Sequence, residues 1–396
     1  MSPTVMEEAR VGRDPGVDAR ETVGTRSGPR IDGIDVRAYR LPTREGPESD
    51  GTLVWDSTTL VLVRARAGGQ EGLGYTYAHR AAAVVVQDVL ANEVIGRSAL
   101  APAQAWEAMH HCVRNLLRPG LVSMAMAAVD SALWDLHARL LDIPLAQALG
   151  LLRESIPAYA SGGFTSATPR ELASQMERWS DQGFAAAKMK VGRDPSADPA
   201  RVRTAREALD ERIDLFVDAN GAYGRKEALA LGYRFADEAD VRWFEEPVPS
   251  DDVDGLRLLR DRLPPGMDVA AGEYASDLPA TRLLLDACAV DVLQLDATRI
   301  GGFTPFLRAA ALALGRGVPV SAHTAPALHA PLCCATPGAL HVEYFQDHVR
   351  FEQLAFDGVP EVRRGRLEPA LDRPGNGLTL RESDVERWRV PVGRAS

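Results

Sequence analysis

Three acidic residues at near-equal spacing constrain the fold of this chain more than any other feature. Asp218 ends an apolar run, Glu245 follows 27 residues later, and Glu273 lies 28 residues beyond that. A spacing of roughly 25 to 30 residues accommodates one strand, one loop and one helix, the repeat of a parallel β/α fold. The carboxyl ends of such strands share one rim, where three carboxylates suit a hard cation such as Mg²⁺. A single acid at a strand end is more often a helix N-cap, but three in register favour a metal site.

The remaining pattern divides the chain into four parts. Residues 1–30 have few large apolar side chains and are predicted to be a disordered leader. Residues 31–150 combine β-branched strands with a helical stretch, which predicts an α+β domain. Residues 346–396 are rich in turn signals and are expected to fold back beside that domain. Between them, residues 151–345 alternate helices with eight strands, near positions 156, 185, 213, 241, 267, 291, 318 and 340. Eight parallel strands of this kind predict a closed α/β barrel with its active site at their carboxyl ends.

Composition excludes several classes of function. A net charge of −10 argues against a nucleic-acid surface, and no apolar run reaches the ~18 residues of a membrane span. No zinc-binding or redox spacing occurs among the four cysteines, Cys112, Cys288, Cys333 and Cys334. We therefore interpret all four as reduced core thiols and expect a cytoplasmic protein.

Two lysines stand on the second barrel strand. Lys188 and Lys190 are two residues apart, so strand alternation places both on the inward face. Because a nearby like charge disfavours protonation, one of them is expected to have a lowered pKa and to act as a base near neutrality. The alternative is a pair of solvated lysines.

Acid and histidine side chains end the last three strands. Asp296 ends the sixth strand and His323 the seventh, so adjacent strand ends can bring the carboxylate to the imidazole. That pairing would fix the tautomer of His323 and make it a general acid or base. Glu343 on the eighth strand is a further inward acid.

These residues together resemble the mandelate racemase group of the enolase superfamily. The resemblance runs from about residue 31 to beyond Glu343, and residues 127–135 are similar to that family's capping-domain signature. The matching motifs, in order, are Lys188-x-Lys190, Asp218-x-Asn220, Glu245-Glu246-Pro247, Gly272-Glu273, Asp296 followed by Ile300-Gly301-Gly302, His323 and His341-x-Glu343. The resemblance implies a (β/α)7β TIM-like barrel with an N-terminal α+β capping domain.

The resemblance also implies roles for each matched residue. Mg²⁺ held by Asp218, Glu245 and Glu273 would bind a substrate carboxylate and stabilise the enediolate formed when the α-proton leaves. Lys190 matches the family's base on one face of the substrate, and His323 with Asp296 its acid/base on the other. Two further matches are also catalytic: Lys188 matches the residue that lowers the pKa of the base and contacts the substrate carboxylate, and Glu343 the one that hydrogen-bonds a carboxylate oxygen. Asn220 would line the same pocket.

Bases on two faces permit either racemisation or β-elimination of water. Relatives with lactonizing or dipeptide-epimerase activity carry a lysine where this chain has Asp296. This difference argues against those two activities. Most relatives with this constellation are acid-sugar dehydratases, so we favour dehydration of an acid sugar to a 2-keto-3-deoxy acid. The polar segment 43–55 is then predicted to be a loop over the site that selects the substrate.

Other functions remain open at this stage. A racemase or epimerase of a 2-hydroxy acid uses the same residues, and a non-catalytic barrel would keep the fold alone. A metal-dependent hydrolase of another barrel family usually relies on several histidine ligands, which this pattern lacks. The expected partner is a small carboxylate substrate, without nucleic acid or membrane, and we expect a homo-oligomer.

Overall fold

The computed structural model describes residues 28–44 and 46–393. The predicted leader therefore lies outside the described residues up to position 27. Residues 28–30, which the sequence assigned to that leader, lie against the first domain, where the carbonyl of Pro29 accepts a hydrogen bond from Ala99 N–H (3.0 Å).

The first domain begins with an antiparallel sheet and a small separate hairpin. Its strands are β1 (Gly33–Pro42), β2 (Glu48–Ser49), β3 (Val54–Trp55), β4 (Ser57–Ala67) and β5 (Gln70–Tyr77). β4 pairs with β1 and with β5. Gly68 and Gly69 join β4 to β5 with φ values of 58° and 77°, which only glycine adopts freely, so this turn sets the register of the hairpin. The segment 43–55, predicted to be a loop, instead contains the β2–β3 hairpin.

One helix of the first domain lies directly on its sheet. The helices are α1 (Ala81–Val85), α2 (Ala91–Val94), α3 (Pro102–Cys112), α4 (Leu121–Leu140) and α5 (Leu145–Ala148), with a π-helical turn at Val86–Leu90 and a 3₁₀ turn at Val113–Leu116. A Cβ at Gly72 or Gly74 of β5 would come within 2.3 Å of the α4 backbone. These glycines therefore permit the close approach of α4 to the sheet.

The second domain is a closed parallel barrel. Its elements alternate as β6 (Ile156–Gly162), α6 (Pro169–Asp181), β7 (Ala186–Lys190), α7 (Asp198–Ala208), β8 (Asp214–Asp218), α8 (Arg225–Ala239), β9 (Val241–Glu245), α9 (Val253–Arg262), β10 (Asp268–Ala271), α10 (Leu278–Asp286), β11 (Val292–Leu295), α11 (Phe303–Gly315), β12 (Val320–Ala322), α12 (Pro326–Cys334) and β13 (Ala339–Phe345). The strands pair in chain order, and β13 pairs with β6 to close the barrel. The predicted eight-stranded barrel with an N-terminal α+β domain is confirmed.

The C-terminal segment contains more structure than its sequence indicated. It forms α13 (Gln346–Ala355), β14 (Phe356–Asp357), β15 (Val362–Arg363), β16 (Arg366–Leu367), β17 (Thr379–Leu380), α14 (Glu382–Val385), a 3₁₀ turn at Glu386–Trp388 and β18 (Arg389–Val390). The prediction of turns is wrong for α13. This helix buries Asp347 and Glu352 beside its apolar residues, so its sequence lacks the clear apolar periodicity of a helix. β18 pairs antiparallel with β1, so the chain returns to the first domain.

Side chains fill the barrel interior in two chemically distinct layers. At the amino end, the aromatic rings of Tyr159, Phe216 and Trp243 pack together, with Phe216 stacked on Trp243 at 5.2 Å. Two residues further along β8 and β9, alternation turns Asp218 and Glu245 inward, where Lys188 of β7 lies 2.5 Å from Glu245 Oε1. The aromatic layer therefore closes one end of the barrel and leaves the charged layer at the other.

Contacts from the first domain hold the loop after β11 and the first turn of α11. Asp130 of α4 accepts hydrogen bonds from Thr304 N–H (2.9 Å) and Thr304 Oγ1 (2.8 Å). Trp106 Nε1 donates to the carbonyl of Gly301 (2.9 Å). This loop follows Asp296, so the first domain helps to position one of the predicted site residues.

Among the described residues, no helix has the length and apolar character that crossing a bilayer requires. All four cysteines are free thiols. Cys333 and Cys334 are buried, but Cys288 is exposed, so its predicted place in the core is wrong. It follows helix α10 with φ of 50°, in a surface turn rather than a packed element.

Candidate active site

Three carboxylates converge at the barrel mouth. Asp218 ends β8, Glu245 ends β9 beside it in register, and Glu273 follows β10. One oxygen from each lies within 4.8 Å of the others, and all three side chains are buried. The structure thus brings together the acids whose spacing predicted a metal site.

This carboxylate cluster fits a magnesium ion. Mg²⁺ prefers oxygen ligands and is commonly held by few carboxylates, with water and substrate completing its coordination. Burial and the charge of Asp218 raise the pKa of Glu245, since the cluster contains more negative charge than the neighbouring cations balance. A divalent cation held by Asp218, Glu245 and Glu273 would supply the missing charge.

Both lysines of β7 point into the barrel and are buried. Lys188 Nζ lies 2.5 Å from Glu245 Oε1 and 2.8 Å from Glu343 Oε1. Lys190 Nζ donates to Asp218 Oδ2 and lies 5.9 Å from the centre of the Phe345 ring. The alternative of two solvated lysines is therefore wrong.

The expectation of a lowered lysine pKa does not hold for this arrangement. Burial disfavours the charge on Lys190, and so does the charge of Lys188. The charges of Asp218, Glu245 and Glu343 together outweigh both, and the pKa of Lys190 is raised. The prediction was wrong because it counted the second cation but not the carboxylates that surround the pair.

His323 and Asp296 form a hydrogen-bonded pair across adjacent strands. His323 Nδ1 lies 2.8 Å from Asp296 Oδ2, which fixes the tautomer, and Nε2 lies 3.1 Å from Glu273 Oε2. Burial disfavours the imidazolium, but the charge of Glu273 and the hydrogen bond to Asp296 raise the pKa of His323 to about 9. The pair combines a proton-carrying nitrogen with a group that orients it.

Glu343 lies beside Lys188, and Asn220 lies beside Asp218, whose Oδ1 accepts a hydrogen bond from Asn220 N–H (2.8 Å). Besides Lys188, Glu343 accepts hydrogen bonds from Ser161 Oγ (2.6 Å) and from Thr324 N–H (3.0 Å). Asn220 adopts a left-handed φ of 46°, and its buried Oδ1 has no hydrogen-bond partner among the described residues. Their contact with substrate, inferred from the resemblance, stays a prediction.

Sequence reasoning missed two residues of this site. Arg299 Nη1 donates to Glu273 Oε1 (2.8 Å), and its Nε lies 3.5 Å from Asp296 Oδ2. His329 donates from Nδ1 to the carbonyl of Thr324 (2.7 Å) and accepts at Nε2 from Ala297 N–H (3.0 Å). Arg299 stands in a loop and His329 in an apolar helix, so neither shares the strand-end pattern that marked the others.

A cavity of about 350 Å³ lies between the barrel mouth and the first domain. Asp296 and Arg299 form its inner end, and Phe345, which lies beside Lys190, forms part of its wall. Trp55 of the β2–β3 hairpin and His79 contribute from the first domain. The cavity therefore lies next to the His323–Asp296 pair and within reach of Lys190.

The β2–β3 hairpin rests on the ends of the barrel strands. Ser49 Oγ lies 2.7 Å from Thr165 Oγ1 in the loop after β6. A Cβ at Gly51 would come within 2.4 Å of the carbonyl oxygen of Ala219, just past β8. The segment predicted to cover the site thus lies over the barrel mouth, although its effect on substrate choice stays a prediction.

A capped parallel barrel with these residues at its mouth has known relatives. Residues 37–150 match the model of the mandelate racemase/muconate lactonizing enzyme N-terminal domain, and residues 171–384 match the enolase C-terminal domain-like model. The chain therefore belongs to the mandelate racemase/muconate lactonizing enzyme family of the enolase superfamily, as its motifs predicted.

Individual relatives cover nearly the whole chain. L-talarate/galactarate dehydratase of Salmonella typhimurium is 29% identical over 93% of this chain and 94% of its own. Its structure liganded with Mg and L-lyxarohydroxamate superposes with a TM-score of 0.84, at 28% identity over 93% and 96% of the two chains. A mandelate racemase/muconate lactonizing enzyme-like protein from Rubrobacter xylanophilus gives 0.89 at 50% identity, over 91% and 100%. A racemase from Streptomyces coelicolor with bound magnesium gives 0.85 at 29% identity, over 91% and 100%.

Replacing His329 by leucine should slow turnover about 10- to 100-fold with little change in KM. His329 joins the backbone after Asp296 to the backbone after His323, so its loss lets the two strand ends shift, and small misplacements at a site have effects of that size. The measurement is kcat and KM together with the pH profile of kcat. His137→Leu, at a half-buried histidine of the first domain, is the control. A purely structural role would lower the melting temperature of His329→Leu while leaving kcat and its pH profile unchanged.

Proposed function

We propose that this protein removes water from an acid sugar to give a 2-keto-3-deoxy acid, with a magnesium ion held by Asp218, Glu245 and Glu273. The observation that carries the proposal is the placement of two acid/base groups on different sides of one barrel mouth. Lys190 ends the second strand and His323 follows the seventh, while the third, fourth and fifth strands supply the carboxylates between them.

The proposed reaction needs two proton carriers. One takes the proton from the carbon next to the carboxylate, and one gives a proton to the hydroxyl that leaves from the neighbouring carbon as water. The resulting enol becomes the 2-keto product when its hydroxyl loses a proton and a proton is delivered to that neighbouring carbon. Magnesium, when bound, supplies positive charge beside the substrate carboxylate and so makes the α-proton more acidic.

The chain's own side chains orient these proton transfers. Asp296 holds Nδ1 of His323, so Nε2, which lies 3.1 Å from Glu273 Oε2 in this structure, is the nitrogen that exchanges protons with the substrate. Lys188 remains close to Glu343 and Glu245, a position from which it can contact a substrate carboxylate. The cavity beside Asp296 offers room for the hydroxylated part of the substrate.

Incubating the purified protein with a panel of acid sugars and Mg²⁺ tests the proposal directly. We expect 2-keto product, detected as its semicarbazone, from at least one member of the panel. Chelation with EDTA should abolish the product, and Mg²⁺ should restore it. A panel that yields no 2-keto product from any acid sugar would contradict dehydration.

Racemisation of a 2-hydroxy acid is the second candidate, because acid/base groups on two sides of a carbon also permit inversion. The similarity of this chain to the Streptomyces coelicolor racemase supports racemisation as that second candidate. Incubation in deuterated water separates the two: deuterium at the α-carbon with inversion, and no 2-keto product, would favour the racemase.

The setting of the enzyme is part of the proposal. Four free thiols suit the reducing cytoplasm, where we place the reaction. We also propose that the protein is a homo-oligomer, which light scattering of the purified chain would test.

A further inference from the structure

The cavity beside the His323–Asp296 pair has an inner and an outer end of different chemistry. At the inner end, Asp296 and Arg299 border the groups that react. At the outer end, the cavity is bounded by the first domain, including Thr58, and by Asp347 at the start of α13. A sugar acid whose carboxylate lies at the barrel mouth would extend its far end toward this outer wall.

Fixed positive charge is scarce along the cavity. Among the described residues that line it, Arg299 is the only arginine or lysine, and it is already bound to Glu273 (2.8 Å). His348 is buried against the Tyr77 ring at 3.4 Å between ring centres, and burial holds its pKa well below the usual range, so it is neutral. His79 is exposed, and its Nδ1 accepts a hydrogen bond from Ala81 N–H (3.2 Å).

The outer wall itself is acidic. Asp347 is 2% exposed, and its Oδ2 accepts a hydrogen bond from Thr58 Oγ1 (3.0 Å). Arg350 Nη2 lies 3.4 Å from Asp347 Oδ1 on α13. Behind Asp347, Glu48 accepts from Trp55 Nε1 (3.2 Å), and burial together with the charge of Asp347 raises the pKa of Glu48. One guanidinium thus faces two carboxyl groups, and it leaves no cation free for a third.

Hydroxyl groups suit this wall better than a carboxylate does. The Thr59 hydroxyl can donate and accept, whereas those of Thr58 and Ser57, which donate to Asp347 and Asp56, can still accept. Asp347 can accept a hydrogen bond from a sugar hydroxyl. A second carboxylate at the same place would face Asp347 without a paired cation, and like charges held together in a partly desolvated site are strongly unfavourable.

We propose that the substrate of this enzyme is a sugar monoacid whose far end is an uncharged hydroxymethyl or polyol group. In this proposal, Asp347 in the outer wall of the cavity excludes sugar diacids. This inference rests on the proposed function, since it takes the reacting carboxylate to lie at the barrel mouth. It assigns to Asp347 a role in choosing between substrate classes, separate from the reaction itself.

Matched pairs of substrates test this inference. Each pair joins an aldonate to the aldarate of the same configuration, such as galactonate with galactarate or gluconate with glucarate, so that only the far carbon differs. We expect the better monoacid to exceed its diacid partner at least about 100-fold in kcat/KM. Calorimetric binding of the same pairs to the Mg²⁺-loaded protein should show the same order, whether or not turnover occurs.

Two variants locate the selectivity. Asp347→Asn should lower the ratio of kcat/KM for the monoacid to kcat/KM for its diacid partner at least about tenfold, chiefly by raising kcat/KM for the diacid. The amide keeps an acceptor for Thr58 but removes the negative charge. Glu361→Gln, at an exposed acid outside the cavity, should leave the ratio unchanged. A diacid that binds or reacts as well as its monoacid partner overturns the inference. Selective binding of monoacids without 2-keto product would support it and overturn dehydration instead.

Discussion

Glu245→Gln should lose nearly all activity, with a fall of at least about 10³-fold in kcat and a clear loss of Mg²⁺ affinity. The change removes one of three buried carboxylates, so a bound cation is under-coordinated and the charge that develops on the substrate loses its main electrostatic partner. It also places an amide beside the Lys188 ammonium group, which lies 2.5 Å from Glu245 Oε1. Steady-state kinetics and calorimetric titration with Mg²⁺ measure the two effects.

The control for this experiment lies at the other end of the barrel. Asp268 begins β10 and is exposed at the amino end of the strand, far from the cluster of carboxylates. Asp268→Asn should keep wild-type turnover and Mg²⁺ affinity. If Glu245→Gln matched this control in both measurements, the assignment of the metal ligands would be wrong.

Lys190→Ala and His323→Asn should each lower turnover by about 10²- to 10⁴-fold, the usual range for loss of a general acid or base. The two variants should differ in the exchange they retain. His323→Asn still has Lys190 and should exchange the α-proton of the substrate epimer whose hydrogen faces the lysine. Lys190→Ala should exchange that of the other epimer. NMR of the α-carbon after incubation with each epimer in deuterated water measures both.

Two further variants complete the test. Asp296→Asn should behave as a weaker His323→Asn, because the imidazole keeps its place but loses the carboxylate that orients it (2.8 Å). Lys226→Ala, at an exposed lysine on α8, should be indistinguishable from the wild type. The same exchange pattern in Lys190→Ala and His323→Asn, or full activity in either, would rule out a two-sided mechanism.

The elements that a sequence can locate are those governed by a short, regular period. Asp218, Glu245 and His323 each stand at or just past the end of a strand, and parallel pairing brings such ends together whatever the loops do. Lysine use offers a further signal, since the chain has only three lysines and two of them are Lys188 and Lys190.

Residues and segments whose structure depends on tertiary contacts could not be predicted from periodic sequence patterns. Arg299 was not identified because its role depends on a loop held by the first domain, through Asp130 and Trp106. The β2–β3 hairpin was expected to be a loop because its strands are only two residues long. The direction of the Lys190 pKa depended on how close Asp218 lies, a distance that spacing along the chain does not give.

The pairing of β18 with β1 also bears on how the protein folds during synthesis. Val390 pairs with Ala38, so the sheet of the first domain gains its last strand only after the whole barrel has left the ribosome. Until then β1 presents an open edge, which can pair with other chains. Contacts this distant in sequence form slowly, because a long loop must close before they contribute stability. Fusions or truncations at the carboxyl terminus should therefore disturb the N-terminal domain before they disturb the barrel.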